Sequence, residues 1–294
     1  MKFKTWRDPY DAGFSPTKPK EIELKPGLTV LVGCNGAGKT TLLLNIKEVC
    51  SQNKIPCLSY DNLHDGGHNG LSEMFSIGNY EEGAYLFCAS EGECIKANVG
   101  RKSKLYQEFI EQGFVKDMSY RFLKAFGKND DTFESKDRVF LFDAVDSGLS
   151  VDSVVEMKLL FDQMMNDYRD SDKNLYIIIA ANEYELAREA DCFDVNKGKY
   201  IRFSDYEDYR NFIIKSRQRK EARLLHQKRW YEKQKEKELK KYYKIVSKQK
   251  ELLNKLEKEK QAGNEVSPWD EDDIKNMVKK FLRSSRYITK EDIE

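Results

Sequence analysis

Leu28-Thr29-Val30-Leu31-Val32-Gly33-Cys34-Asn35-Gly36-Ala37-Gly38-Lys39-Thr40-Thr41 is an apolar, β-branched run that stops at a glycine and gives way to a lysine and two threonines. Apolar residues without alternation suit a strand buried on both faces, the habit of parallel sheets. Three glycines in the turn let successive backbone N–H groups point inward around an anion, and a helix beginning near Lys39 and running to about Ser51 adds the positive end of its dipole. The spacing G-x-x-x-x-G-K-[ST] assigns further roles: Lys39 reaches the β- and γ-phosphates of a nucleoside triphosphate, Thr40 turns its hydroxyl to Mg²⁺, and Thr41 faces the α-phosphate side. The candidate phosphate-binding residues are Gly33, Asn35, Gly36, Ala37, Gly38, Lys39, Thr40 and Thr41.

Outward from this loop, strands and helices alternate. Ile22 to Leu24 precedes the loop strand, Pro56 to Tyr60 follows the first helix, and Val139 to Phe142 and Leu175 to Ala181 are buried runs that each end at a polar residue. A helix over about Val151 to Tyr168 joins the last two. Strands separated by helices of this length predict an α/β fold with a mainly parallel sheet flanked by helices. His64 to Tyr80, rich in glycine and mixed in polarity, suits a loop.

Beyond Gly198 no glycine or proline occurs until Gly263, which predicts a long C-terminal helix from about Asp205 to Gln261, up to about 85 Å at 1.5 Å per residue. Ser267, Pro268 and the acidic run Asp270 to Asp273 then start a short amphipathic helix carrying Ile274, Met277, Val278, Phe281 and Leu282. Three parts follow: an ATP-binding domain over 1–203, a basic helical arm over 204–262, and a final helix with its tail over 263–294.

The chain holds 294 residues, 39% of them hydrophobic, enough for a packed core. Its formal net charge is only +1, yet residues 215–260 hold 18 Lys and Arg against 7 Glu, so an acidic body carries a basic arm. The six cysteines lack paired metal-ligand spacing and read as reduced core residues. No apolar run is long enough to cross a bilayer, and Met1 to Tyr10 alternates charge and aromatics, unlike a signal peptide. A cytoplasmic protein without membrane insertion is expected.

The loop and its surroundings resemble the opening of ABC-type P-loop ATPases, including the soluble, non-transporter branch of structural-maintenance-of-chromosomes and DNA-repair ATPases. Val139-Phe140-Leu141-Phe142-Asp143 is similar to the Walker B strand, whose Asp143 then holds Mg²⁺ through water. Asp146-Ser147-Gly148-Leu149-Ser150 resembles the D-loop at the dimer interface, and Ile177 to Glu183 resembles the switch strand. Leu186 to Asp191 stands where a helix follows in the family, and Val195 to Ile201 where a terminal strand pair turns. Ala89-Ser90-Glu91-Gly92-Glu93 resembles the signature motif, whose Ser90 and Gly92 then bind ATP held by the opposite subunit. The resemblance implies ATP and Mg²⁺ as cofactors, homodimerisation on ATP, and action in nucleic-acid transactions.

Two departures bear on turnover. Ala144 stands where the family has its general-base glutamate, and Asn182 where it has its switch histidine. Asp146 is a candidate replacement base, with turn formation as the competing role. Asp61 and Asn62 occupy the region of the γ-phosphate-sensing glutamine and are candidate Mg²⁺ contacts, while Trp6, Tyr10 and Phe14 could stack on adenine. In the arm, Leu239, Tyr242, Val246, Gln249, Leu253 and Leu256 form a short coiled-coil seam. The arm either contacts DNA or RNA through its Lys, Arg and aromatics, or is a solvated helix whose stripe packs on a dimer partner. Three functions compete: a slow or atypical ATPase acting on nucleic acid, a clamp or sensor module with almost no turnover, and the motor subunit of a transporter.

Overall fold

The apolar runs ending at Val32, Phe142 and Ala180 become strands buried on both faces. A computed structural model describes residues 1–5, 21–62, 84, 87–114, 135–169, 172–263, 268–285, 287–289 and 292. Trp6, Tyr10, Phe14 and the whole of the His64 to Tyr80 stretch lie outside this set. The elements are β1 (Lys2–Lys4), β2 (Glu21–Glu23), β3 (Gly27–Val32), α1 (Lys39–Gln52), β4 (Cys57–Asp61), α2 (Glu91–Gln112) and β5 (Asp137–Asp143). There follow α3 (Val151–Asp167), β6 (Asn174–Ala180), α4 (Tyr184–Ala187), β7 (Asp191–Asp194), β8 (Lys199–Ile201), α5 (Tyr206–Gln261) and α6 (Pro268–Ser284).

Six strands form one sheet in the order β4-β5-β6-β3-β7-β8, parallel throughout except for β8, which runs antiparallel to β7. Strands β1 and β2 make a separate antiparallel pair. Successive side chains on a strand point to opposite faces, so β5 sends Phe140 and Phe142 to one core and Val139 and Leu141 to the other. The first core is roofed by α2, α3 and the start of α5 through Tyr106, Phe109, Met157, Phe161 and Tyr209. The second is roofed by α1 through Leu42, Leu43, Ile46 and Cys50. Double coverage is the physical reason that these strands read as unbroken apolar runs.

The helix anticipated over Leu186 to Asp191 is shorter and earlier. Only Tyr184–Ala187 is helical, because Arg188 is extended, Glu189 turns at φ 59°, and Asp191 must already pair with Thr29 in the sheet. Among the cysteines, Cys34, Cys50, Cys94 and Cys192 are buried as expected, whereas Cys88 is exposed.

The chain divides into two compact units, 1–219 and 220–294, so the first turns of α5 belong with the sheet. Within the second unit the stripe on α5 is covered by the same chain. Gly263 leaves the helix at φ 80° and α6 runs back along α5, with Gln249 Nε2 donating to the carbonyls of Ile274 at 2.7 Å and Lys275 at 2.9 Å. Further along, the Ser285 hydroxyl donates to Glu238, Lys235 pairs with Asp292, and the Tyr287 ring stands edge-on to Trp230 and Tyr231. Gln249 meets Ile274 and Lys275 while Glu238 meets Ser285 just past the end of α6, an antiparallel pairing. The seam from Leu239 to Leu256 is half-buried, as are Ile274, Met277, Val278, Phe281 and Leu282. The stripe offered above to a dimer partner is thus taken by α6, while Arg229, Lys233, Lys237, Lys240, Lys244 and Lys248 remain exposed.

Candidate nucleotide site

The turn from Gly33 to Gly38 is held by geometry that only small residues allow. A Cβ on Gly33 would lie 2.9 Å from Ala37 Cβ and 3.0 Å from Val195 Cγ2, so the loop closes on itself and on the β7–β8 turn there. Gly38 stands at φ 104°, a backbone region that L side chains avoid, immediately before α1. Asn35, Gly36 and Thr40 are exposed, Ala37, Gly38 and Thr41 half-buried, and Lys39 nearly buried.

Lys39 turns its amine back into the loop. Nζ donates to the Gly33 carbonyl at 2.8 Å and to Asn182 Oδ1 at 2.9 Å. Burial pulls its pKa below the ordinary lysine value, against the opposing pull of Asp146, Cys34 and Asp143. Beside it, burial holds the Asp143 carboxyl above the usual range, with the neighbouring Thr40 side chain pulling the other way and nearby Asp61 adding repulsion. The register explains that repulsion, since Asp61 and Asp143 are paired residues at the ends of β4 and β5. Hard oxygens from Thr40, Asp143 and Asp61 suit Mg²⁺, which keeps several waters and needs few protein ligands. Among the described residues no group of three or more His, Cys, Asp or Glu is arranged to hold a metal. Asn62 is drawn elsewhere: its Nδ2 donates to the Ser147 carbonyl at 3.0 Å and its Oδ1 accepts from Tyr60 at 3.2 Å.

Strand β6 lies between β3 and β5, so its end falls between the loop and Asp143. Asn182 sits there and is held from several directions. Its N–H donates to Asp146 Oδ2, which also accepts from the Glu183 N–H at 2.7 Å, and its carbonyl accepts from the Tyr209 hydroxyl at 2.6 Å. Asp146 is 4% exposed, and its second oxygen, Oδ1, is buried without a hydrogen-bond partner. Its carboxylate therefore works as a clasp between the Asp146-to-Ser150 turn and the end of β6. Ala144, at φ 52°, places a methyl group and no polar atom directly after Asp143.

Ser90 caps α2 in a reciprocal box with Glu93: Glu93 N–H donates to Ser90 Oγ at 3.4 Å, and Ser90 N–H to Glu93 Oε2 at 2.7 Å. The hydroxyl also donates to Glu93 at 2.8 Å. Gly92 packs against the Asp146-to-Ser150 turn of its own chain, since a Cβ there would approach the Gly148 carbonyl to 3.3 Å. The two signature candidates thus adjoin the turn that follows Asp143.

Three residues that the sequence did not single out complete the surroundings. Ser216 Oγ, fully buried on α5, accepts from the Cys34 N–H at 3.1 Å and from Asn196 Nδ2 at 3.0 Å. Tyr209 lies two turns earlier on the same helix. No family model matches the chain, and a search of curated proteins finds no match.

Proposed function

We propose that the chain is a P-loop ATP-binding protein of the ABC type, which holds Mg-ATP on residues 33–41 with Thr40 and Asp143 at the metal and hydrolyses it slowly. The observation that carries this reading is the convergence of a strand-loop-helix over 27–52 with a Lys39 amine turned into the loop, where it donates to Gly33 and Asn182 and feels the charge of Asp143. A bound triphosphate would add counter-charge to that buried amine beyond the pull of Asp146 and Asp143. Slow turnover follows from Ala144 and from the occupied Asp146 Oδ2, which favour a clamp over a motor.

Dimerisation on ATP is supported by Val151, Val155 and Leu159, exposed apolar residues spaced one turn apart on α3 directly after the Asp146-to-Ser150 turn. Action on DNA or RNA is supported by the exposed cations of α5 from Arg229 to Lys248, since phosphate contacts of this kind bind without regard to sequence. Among the described residues no helix is long and apolar enough to cross a membrane. Titration with a fluorescent ATP analogue, with sizing in the presence and absence of nucleotide, tests the reading. A wild-type protein that fails to bind the analogue with Mg²⁺ removes it.

A further inference from the structure

We infer that Tyr209 and Ser216, on the first turns of α5, are positioning residues of the nucleotide site, so that nucleotide occupancy and the order of residues 206–219 are thermodynamically linked. The inference rests on the nucleotide-binding reading above and deepens it by naming what the site controls. Two separate hydrogen bonds carry it. Ser216 Oγ takes the backbone N–H of Cys34, the second residue of the phosphate loop, and Tyr209 donates to the carbonyl of Asn182, the residue that accepts the Lys39 amine. Both side chains lie in the interior, at 0% and 6% exposure, where water cannot replace either bond.

The chemistry gives the link a direction. Lys39 is shared in this structure between Gly33 and Asn182, and phosphate oxygens arriving at the loop compete for the same ammonium protons. When they draw Lys39 away, Asn182 Oδ1 loses its partner, yet its peptide stays fastened to Asp146 on one side and Tyr209 on the other. On the loop's other flank, Ser216 also holds Asn196, whose own N–H is fixed by Asp194 Oδ1 at 2.9 Å in the turn that closes on Gly33. A change at the loop therefore meets α5 at two points two turns apart on one rigid element. Burial raises the Tyr209 pKa, so it remains a donor across the physiological range. By linkage, whatever nucleotide does to the order of this helix root, the root must do to nucleotide affinity by the same factor.

A role in packing alone would look different. Phe203, Phe212, Tyr184 and Tyr206 already surround Tyr209 or its neighbours, and they could anchor the helix without reference to the loop. The test is amide hydrogen exchange over residues 206–219 in the full chain, with and without a saturating non-hydrolysable ATP analogue and Mg²⁺. Wild type should show exchange at the helix root slowed by about fivefold or more on binding. Tyr209→Phe and Ser216→Ala, each removing one hydroxyl, should weaken analogue binding by a similar factor and shrink the nucleotide-dependent slowing. A packing role would alter exchange equally with and without the analogue. Wild type that binds the analogue with no change over 206–219 overturns the inference while leaving the nucleotide site intact, and so do folded variants that keep wild-type affinity and wild-type slowing. Wild type that does not bind the analogue overturns the nucleotide reading first and this inference with it. The wild-type measurement alone decides the matter if either variant fails to fold.

Discussion

Replacing Asp146 separates the two roles available to it. Its Oδ2 accepts two backbone N–H groups at the end of β6, from Asn182 and Glu183. Hydrogen bonds to a charged acceptor are worth about 1.5–3 kcal/mol against about 0.5–1.5 for neutral ones, so Asp146→Asn should cost about 2 kcal/mol over the pair. The amide nitrogen would add to this, because it occupies the place of Oδ1, where no acceptor waits. Asp146→Ala should cost more, about 2–5 kcal/mol, by leaving two buried donors unsatisfied. For a unit of this size each kcal/mol lowers the melting temperature by about 2–4 °C, so Asn should melt about 4–8 °C early and Ala earlier still. Paired thermal melts and steady-state phosphate release measure both effects. Turnover, expected to lie far below the enzyme median of about 10 per second, should change little in the Asn variant. A variant that melts like wild type but loses turnover by about a hundredfold or more would make Asp146 the general base and refute the clasp.

Lys39→Ala should abolish binding of a fluorescent ATP analogue while the protein stays folded by circular dichroism, because it removes an ammonium turned into the loop. Truncation after Arg219 should keep analogue binding and lose DNA binding in filter assays at low salt. Truncation after Phe203 should weaken analogue binding as well, because it removes Tyr209 and Ser216. In the second unit, the hydrogen bond from Lys235 holds the Asp292 carboxyl down at about 2. A carboxylate with a depressed pKa stabilises above its ordinary value of about 3.9 and loses that contribution as pH falls. Protection of the amides of residues 287–289, taken relative to their intrinsic exchange rates, should therefore fall between about pH 4 and pH 2, and Asp292→Asn should show the lowered protection at neutral pH.

Local chemistry was legible and distant chemistry was not. The loop from Gly33 to Thr41 and the strand that ends at Asp143 announce themselves because residue type and spacing within one short segment determine what they can do. The long helix was visible for the same reason, since nothing between Gly198 and Gly263 interrupts it. The return of α6 was harder to see. The seam on α5 looked like a surface waiting for another copy, and periodicity describes a face without naming what covers it. Asp146 stood out in the sequence as a carboxylate near a missing base, but its occupation by the Asn182 and Glu183 N–H groups depends on a fold that brings β6 beside β5. Tyr209, Ser216 and Asn196 left no sequence signal, because a serine hydroxyl meeting the N–H of Cys34 is a coincidence of tertiary structure alone.

The placement of β3 also governs the order in which the molecule can assemble. Its neighbours in the sheet are β6 and β7, pairing Gly27 with Tyr176 and Thr29 with Asp191, so the strand that bears the loop is made early and must wait for most of the unit to be synthesised. Closing so long a span is slow, because its entropy is lost before the contacts that reward it appear. Ser216, which takes the Cys34 N–H, leaves the ribosome later still. A nascent chain would carry the Gly33-to-Thr41 turn for most of its synthesis without its partners, and the turn would be fastened only as the root of the long helix emerges.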